Sequence, residues 1–170
     1  LGTAKALFYM SLNFPELILF EDFNGNFKSY FDVVYNVFHS NFIAHQPIYN
    51  GLKVSAQKHP EVDGIHRTFY HITHVGDIEN DRSPDFRRME RIRFPKFCID
   101  NYANKDFFIW EKTIGRDNRS HILNESEQYL VVLNERIGFY LFWTAFYIEE
   151  NHTLRKKIKE YEAYLKAKTA

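Results

Sequence analysis

The sequence predicts an α+β fold in which an antiparallel sheet of four to five strands is packed by N-terminal helices and a C-terminal helix. Three observations lead there. Four strand-like segments, 107–113, 120–124, 128–133 and 138–148, follow one another across short polar connections, and connections this short favour hairpins over crossovers. Before them, Phe27, Tyr30, Phe31, Val34, Tyr35 and Phe38 recur at helical spacing. After them, Leu154, Ile158, Tyr161 and Leu165 form a narrow apolar seam on a charged segment.

The chain has 170 residues, enough for one domain with its own core. It opens LGTAKALFYM without an initiator Met, so residues 1–25 are set aside as an N-terminal extension with no functional part assigned, and residues 26–170 are read as a single α+β domain. Aromatic residues make up 18%, chiefly 17 Phe and 11 Tyr, which points to ring packing in the core. Cys98 is the only cysteine. It allows no intramolecular disulfide and suits a reducing, cytoplasmic setting. No apolar run approaches the roughly 18 to 20 residues of a membrane span, so no membrane partner is expected.

In chain order, Asn24-Gly25-Asn26 signals a cap, and an amphipathic helix is expected over about 27–42. Pro47, Asn50-Gly51, Pro60 and Asp63-Gly64 mark a long connecting region with one short strand at 52–56; Lys53, Lys58 and His59 are available there to rim a site. Residues 68–73, rich in aromatic and β-branched side chains, read as a strand. The loop GDIENDRS then leads to a helix announced by Ser83 at the N-cap and Pro84 at the first helical position. Phe94-Pro95 interrupts that helix before a short continuation through Phe97, Ile99 and Tyr102. The segments YLVVL and GFYLFWTAFYI are apolar on both faces, as expected of central strands covered on each side. The seam of the C-terminal helix is flanked by Arg155, Lys156, Lys157 and Lys159.

Chemistry concentrates between His66 and Arg93. The chain is neutral overall, yet residues 81–96 hold six basic side chains against three acidic ones. Arg87, Arg88 and Arg91 fall within one arc of the expected helix. Of eight histidines, His66, His71 and His74 form the tight cluster. On a strand, His71 and His74 would face opposite ways, and no HExxH pattern or cysteine pair accompanies them, so no metal and no other cofactor is expected. There is also no GxSxG elbow, phosphate-binding glycine loop or dinucleotide fingerprint. Imidazoles beside guanidiniums suit metal-independent RNA cleavage by the 2′-hydroxyl, which needs a base, an acid and cations around the phosphorane. The catalytic candidates are His71, His74, Arg88, Arg91 and Thr144; Arg82, Arg87, Lys112 and Tyr147 are the candidates for holding substrate.

The ordered stretches TFYHITH (68–74), RSPDFRRMERI (82–92), YLVVLNER (129–136) and FYLFWTAFYIE (139–149) resemble prophage-associated proteins of the barnase, EndoU, colicin and RelE-like (BECR) nuclease group, from about Phe38 onward. The resemblance implies N-terminal helices against a four-stranded antiparallel sheet whose concave face carries a dispersed His, Arg or Lys, and hydroxyl site. It matches His71 to the group's histidine, Arg88 or Arg91 to its basic residue and Thr144 to its hydroxyl residue. It further implies a toxin-like endoribonuclease whose partners are RNA and an inhibitor or antitoxin protein. Two readings without turnover stand beside it: an RNA- or protein-binding module of the same fold, and an oligomerisation module using Leu154, Ile158 and Leu165.

Overall fold

The computed structural model describes residues 12–170. Its centre is a curled, mixed six-stranded sheet with helices on both sides. Four long strands, β5 (Phe107–Ile114), β6 (Asp117–Asn124), β7 (Tyr129–Arg136) and β8 (Phe139–Tyr147), form an antiparallel meander, as their short polar connections predict. Two N-terminal strands extend it. β1 (Ile48–Tyr49) pairs with β2 (Leu52–Ser55), and β2 runs parallel to β8 through Val54↔Tyr140 and Ser55↔Leu141. The order is therefore β1-β2-β8-β7-β6-β5, and the expectation of a purely antiparallel sheet of four to five strands is corrected to six strands with one parallel pair. A pairing between segments so far apart in the chain leaves no local signal.

Helix α1 (Phe27–Phe38) starts at Asn26, whose side chain accepts the Ser29 backbone N–H at 3.0 Å, and buries Tyr30, Val34 and Phe38 at four-residue spacing. A π-helical stretch, His39–Ala44, continues it and carries Phe42 to within 4.7 Å of the Phe142 ring. Residues 12–23 pack on the same core through Phe14, Leu17, Phe20 and Phe23, with Ile18 N–H donating to the Glu90 carbonyl at 3.0 Å.

The expected strand over 68–73 is a helix, α2 (Arg67–Thr73). Its β-prone composition is overridden by packing. Phe69 and Ile72, three apart, enter the main core, where Phe69 meets Phe31, Tyr35 and Phe38 at 5.5, 4.9 and 5.2 Å. A short hairpin follows, β3 (His74–Val75) with β4 (Ser83–Pro84). Ser83 and Pro84 thus belong to a strand, and helix α3 (Phe86–Glu90) begins two residues later than expected, capped by the Asp85 carboxylate on the Arg88 N–H at 2.9 Å. Helix α4 (Phe94–Asp100) carries Pro95 in its first turn and the buried Cys98, whose thiol pKa burial pushes up.

Helix α5 (Asn151–Thr169) covers the other face of the meander. Leu154, Ile158, Tyr161 and Tyr164 pack on Trp110, Leu123, Leu130 and Val132, with Tyr161 stacked on Phe108 at 4.7 Å. Tyr164 takes the seam position expected for Leu165, which is 42% exposed. No helix among the described residues is long and apolar enough to cross a membrane.

Candidate functional site

β2 accompanies β8 only as far as Leu141, and α2 and α3 lie against the rest of β8. An open cleft of about 340 Å³ lies there, lined by His71, His74, Arg82, Arg88, Thr144 and Phe146 among others. The helical conformation of α2 is what brings the two histidines to one wall. Three residues apart, they would lie on opposite faces of the strand expected from the sequence; here His71 is in the last turn of α2 and His74 is its C-cap, where β3 begins, and both line the cleft.

Thr144 reaches the cleft through a β-bulge. Val132 pairs with Thr144 and Leu133 with Phe142, so Trp143 is the extra residue. Phe142 and Ala145 both face the main core although they are three apart, while Thr144 and Phe146 face the cleft. Without the bulge, strand alternation from Phe142 would turn Thr144 inward.

The hydrogen bonds assign opposite tautomers to the two imidazoles. The Thr73 hydroxyl donates its single proton to the Phe69 carbonyl at 2.7 Å, so at 2.9 Å it accepts from His74 Nδ1–H. That leaves the Nε2 lone pair of His74 as its basic site. The ring is clamped against Tyr70, with centroids 4.4 Å apart. At His71, Arg82 Nη1 donates to Nδ1 at 3.0 Å, which places the proton of the neutral ring on Nε2. Burial lowers the pKa of both; Arg82 lowers that of His71 further while Glu79 opposes it, and the Tyr70 carbonyl opposes the shift at His74.

Positive charge in the cleft comes from Arg88. Its guanidinium lies 5.4 Å from the Phe146 ring centroid and forms no salt bridge among the described residues, and burial lowers its pKa against the pull of Asp85. An arginine stays protonated under such conditions. Arg82 is held by its backbone N–H on the Tyr70 hydroxyl at 2.8 Å and by its side chain on Glu79 at 2.7 Å.

Of the nine candidate residues, His71, His74, Arg82, Arg88 and Thr144 meet at this cleft, and the other four lie elsewhere. Arg91 pairs with Glu90 at 2.5 Å and lies over the Tyr147 ring at 4.3 Å, so the two form a unit on the main-core side of the sheet. Arg87 pairs with Glu149 at 3.0 Å on the surface. Lys112 is on the outer strand β5, paired with Glu160 of α5 at 3.2 Å. His66, the third histidine of the cluster, is bonded to the Tyr35 hydroxyl at 3.0 Å. Sequence reasoning missed Thr73, Arg67 and Glu79. Glu79 had no signal beyond membership of a polar loop.

Among the described residues, no three His, Cys, Asp or Glu side chains gather in a way that could hold a metal ion. No protein-family model, curated protein or solved structure matches the chain.

Proposed function

We propose that the chain is a metal-independent endoribonuclease acting at the cleft between α2, α3 and β8. The observation that carries this reading is the pair of histidines in opposite tautomers beside an arginine with no salt bridge among the described residues and a hydroxyl. His74 takes the proton of a ribose 2′-hydroxyl through Nε2. The 2′ oxygen then bonds to phosphorus and expels the 5′ oxygen, leaving a 2′,3′-cyclic phosphate. Arg88 and the Thr144 hydroxyl stabilise the charge that builds on the phosphoryl oxygens. His71, once protonated, supplies the proton for the departing oxygen from Nε2; in the free protein Glu79 Oε1 lies 3.5 Å from its Nδ1. A lowered pKa makes the protonated ring a stronger acid while reducing how often it is present.

The test is incubation of the protein with total RNA in EDTA, wild type beside His71→Ala and His74→Ala, with fragment ends mapped. Cleavage that survives chelation, leaves cyclic phosphate and falls about 10² to 10⁴-fold in each variant supports the reading. A folded wild-type protein that binds RNA and cuts none would leave it a binding module.

A further inference from the structure

The loop between β3 and β4 closes on itself. A Cβ on Gly76 would lie 3.3 Å from Arg82 Cα, and Gly76 holds φ +149°, which side chains rarely tolerate. The loop turns through the Asp81 N–H on the Ile78 carbonyl at 3.0 Å, and Ile78 is 67% exposed. Glu79 alone is anchored inward by two cations. It accepts Arg67 Nη2 at 2.8 Å and Arg82 Nη2 at 2.7 Å.

Those two arginine side chains are only 19% and 15% exposed, yet they share one carboxylate that is 41% exposed. With His71 neutral, the cluster keeps an uncompensated positive charge, and Arg82 Nε is buried without a partner. One Nη of each guanidinium converges on Glu79, with Arg67 Nη1 held by Asn80 Oδ1 at 2.9 Å and Arg82 Nη1 by His71 Nδ1, and two such N–H groups aimed at one point suit an oxyanion. Glu79 also borders open space. A second cleft of about 370 Å³, lined by Gln57, Arg67, Glu79 and Trp143, shares His71 with the cleft that holds His74 and Arg88.

We propose that Arg67, Arg82 and His71 form a phosphate subsite that Glu79 occupies in the free protein, and that a backbone phosphate of single-stranded RNA displaces the Glu79 carboxylate and joins the two clefts. A phosphodiester offers two unesterified oxygens sharing one negative charge, the same as the carboxylate it replaces. The two Nη2 groups that Glu79 held keep an acceptor. A base next to that phosphate enters the cleft lined by Trp143, where an indole can stack with any base. The identification of the anion as RNA rests on the ribonuclease reading; the anion site itself does not.

The experiment titrates inorganic phosphate, at constant ionic strength, into wild type, Glu79→Gln and the double variant Glu79→Gln with Arg82→Ala. Glu79→Gln should bind phosphate about tenfold more tightly than wild type, the size of a lost charge-assisted contact that the anion no longer has to replace, and Arg82→Ala should abolish that gain. No gain, or a gain indifferent to Arg82, overturns the proposal. Hydrogen exchange on the wild-type protein decides independently if Glu79→Gln does not fold. Saturation with a mixed-sequence oligodeoxynucleotide, which lacks the 2′-hydroxyl and is not cut, should speed exchange at the Asp81 and Arg82 amides; unchanged or slower exchange overturns the proposal. Neither readout needs turnover. A protein that cuts no RNA but shows the Glu79→Gln gain loses the ribonuclease reading and keeps the subsite, and one that cuts RNA without the gain loses the subsite alone.

Discussion

Thr73 and His74, adjacent in sequence, are donors in series: His74 Nδ1–H donates to the Thr73 hydroxyl oxygen, and the threonine proton goes to the Phe69 carbonyl. Thr73→Val keeps the shape and removes the acceptor. On the proposed reading, kcat should fall about tenfold with KM unchanged, in line with the loss of one hydrogen bond to the ring proposed as the base. Thr73→Ser should restore the rate. Imidazole ¹⁵N shifts supply the check, because they should report one tautomer for His74 in wild type and a mixture in Thr73→Val. A rate loss without that mixture would show that Thr73 does not position the ring.

If His74 and His71 act as the proposed base and acid, cleavage should follow a bell-shaped pH profile with its maximum on the acid side of neutrality. Burial lowers the pKa of both His71 and His74, so the base stays available below the ordinary histidine value of about 6.5 and the acid gains its proton only below it. Initial rates between pH 4 and 9 test this. A maximum above pH 7 would contradict the assigned roles.

Stability should also depend on pH, through a histidine outside the cleft. His121 is stacked on Trp110 at 4.8 Å, and burial, aided by Lys157, lowers its pKa to about 4. Between that value and the unfolded value of about 6.5, the unfolded chain binds a proton that the folded chain refuses. The stability is therefore complete above about pH 6.5 and lost as the pH falls toward 4, by about 3 kcal/mol. His71 and His74 shift in the same direction. Urea melts at pH 5 and 7 should show the difference in wild type and a smaller one in His121→Phe.

Arg88 and Arg91, one helical turn apart, should separate function from folding. Arg88→Ala removes the cleft arginine that has no salt bridge among the described residues and, on the proposed reading, should lower kcat about 10²-fold with little change in Tm. Arg91→Ala takes away the contact with Tyr147 and strands Glu90, and should cost about 2 kcal/mol of stability while leaving kcat near wild type. Paired melting and rate measurements decide between this and a shared role.

The meander was legible because its strands are long and separated by turn residues, and α1 because Tyr30, Val34 and Phe38 keep a helical period. α2 was not, since RTFYHIT is a strand by propensity and becomes a helix only against Phe31, Tyr35 and Phe38. The candidate site was legible in its residue types and not in its grouping. Thr144 depends on a bulge that no motif marks, and Arg91 sits on the same short segment as Arg88 yet serves the opposite side of the sheet. Glu79 acquires its significance from Arg67 and Arg82, which the fold alone brings to it.

The parallel pairing of Val54 with Tyr140 has a consequence for synthesis. Antiparallel neighbours β5 to β8 can zip by local turns, whereas β2 must wait for a strand encoded far downstream. β1 and β2 are made before the meander and have no β8 to pair with until it is made, whereas α1 can already pack on α2 through Phe31, Tyr35, Phe38 and Phe69. Refolding should accordingly slow when Ile122 or Val131 within the meander is truncated, whereas Val54→Ala should chiefly speed unfolding. The meander, made later, is the template for the strands made before it.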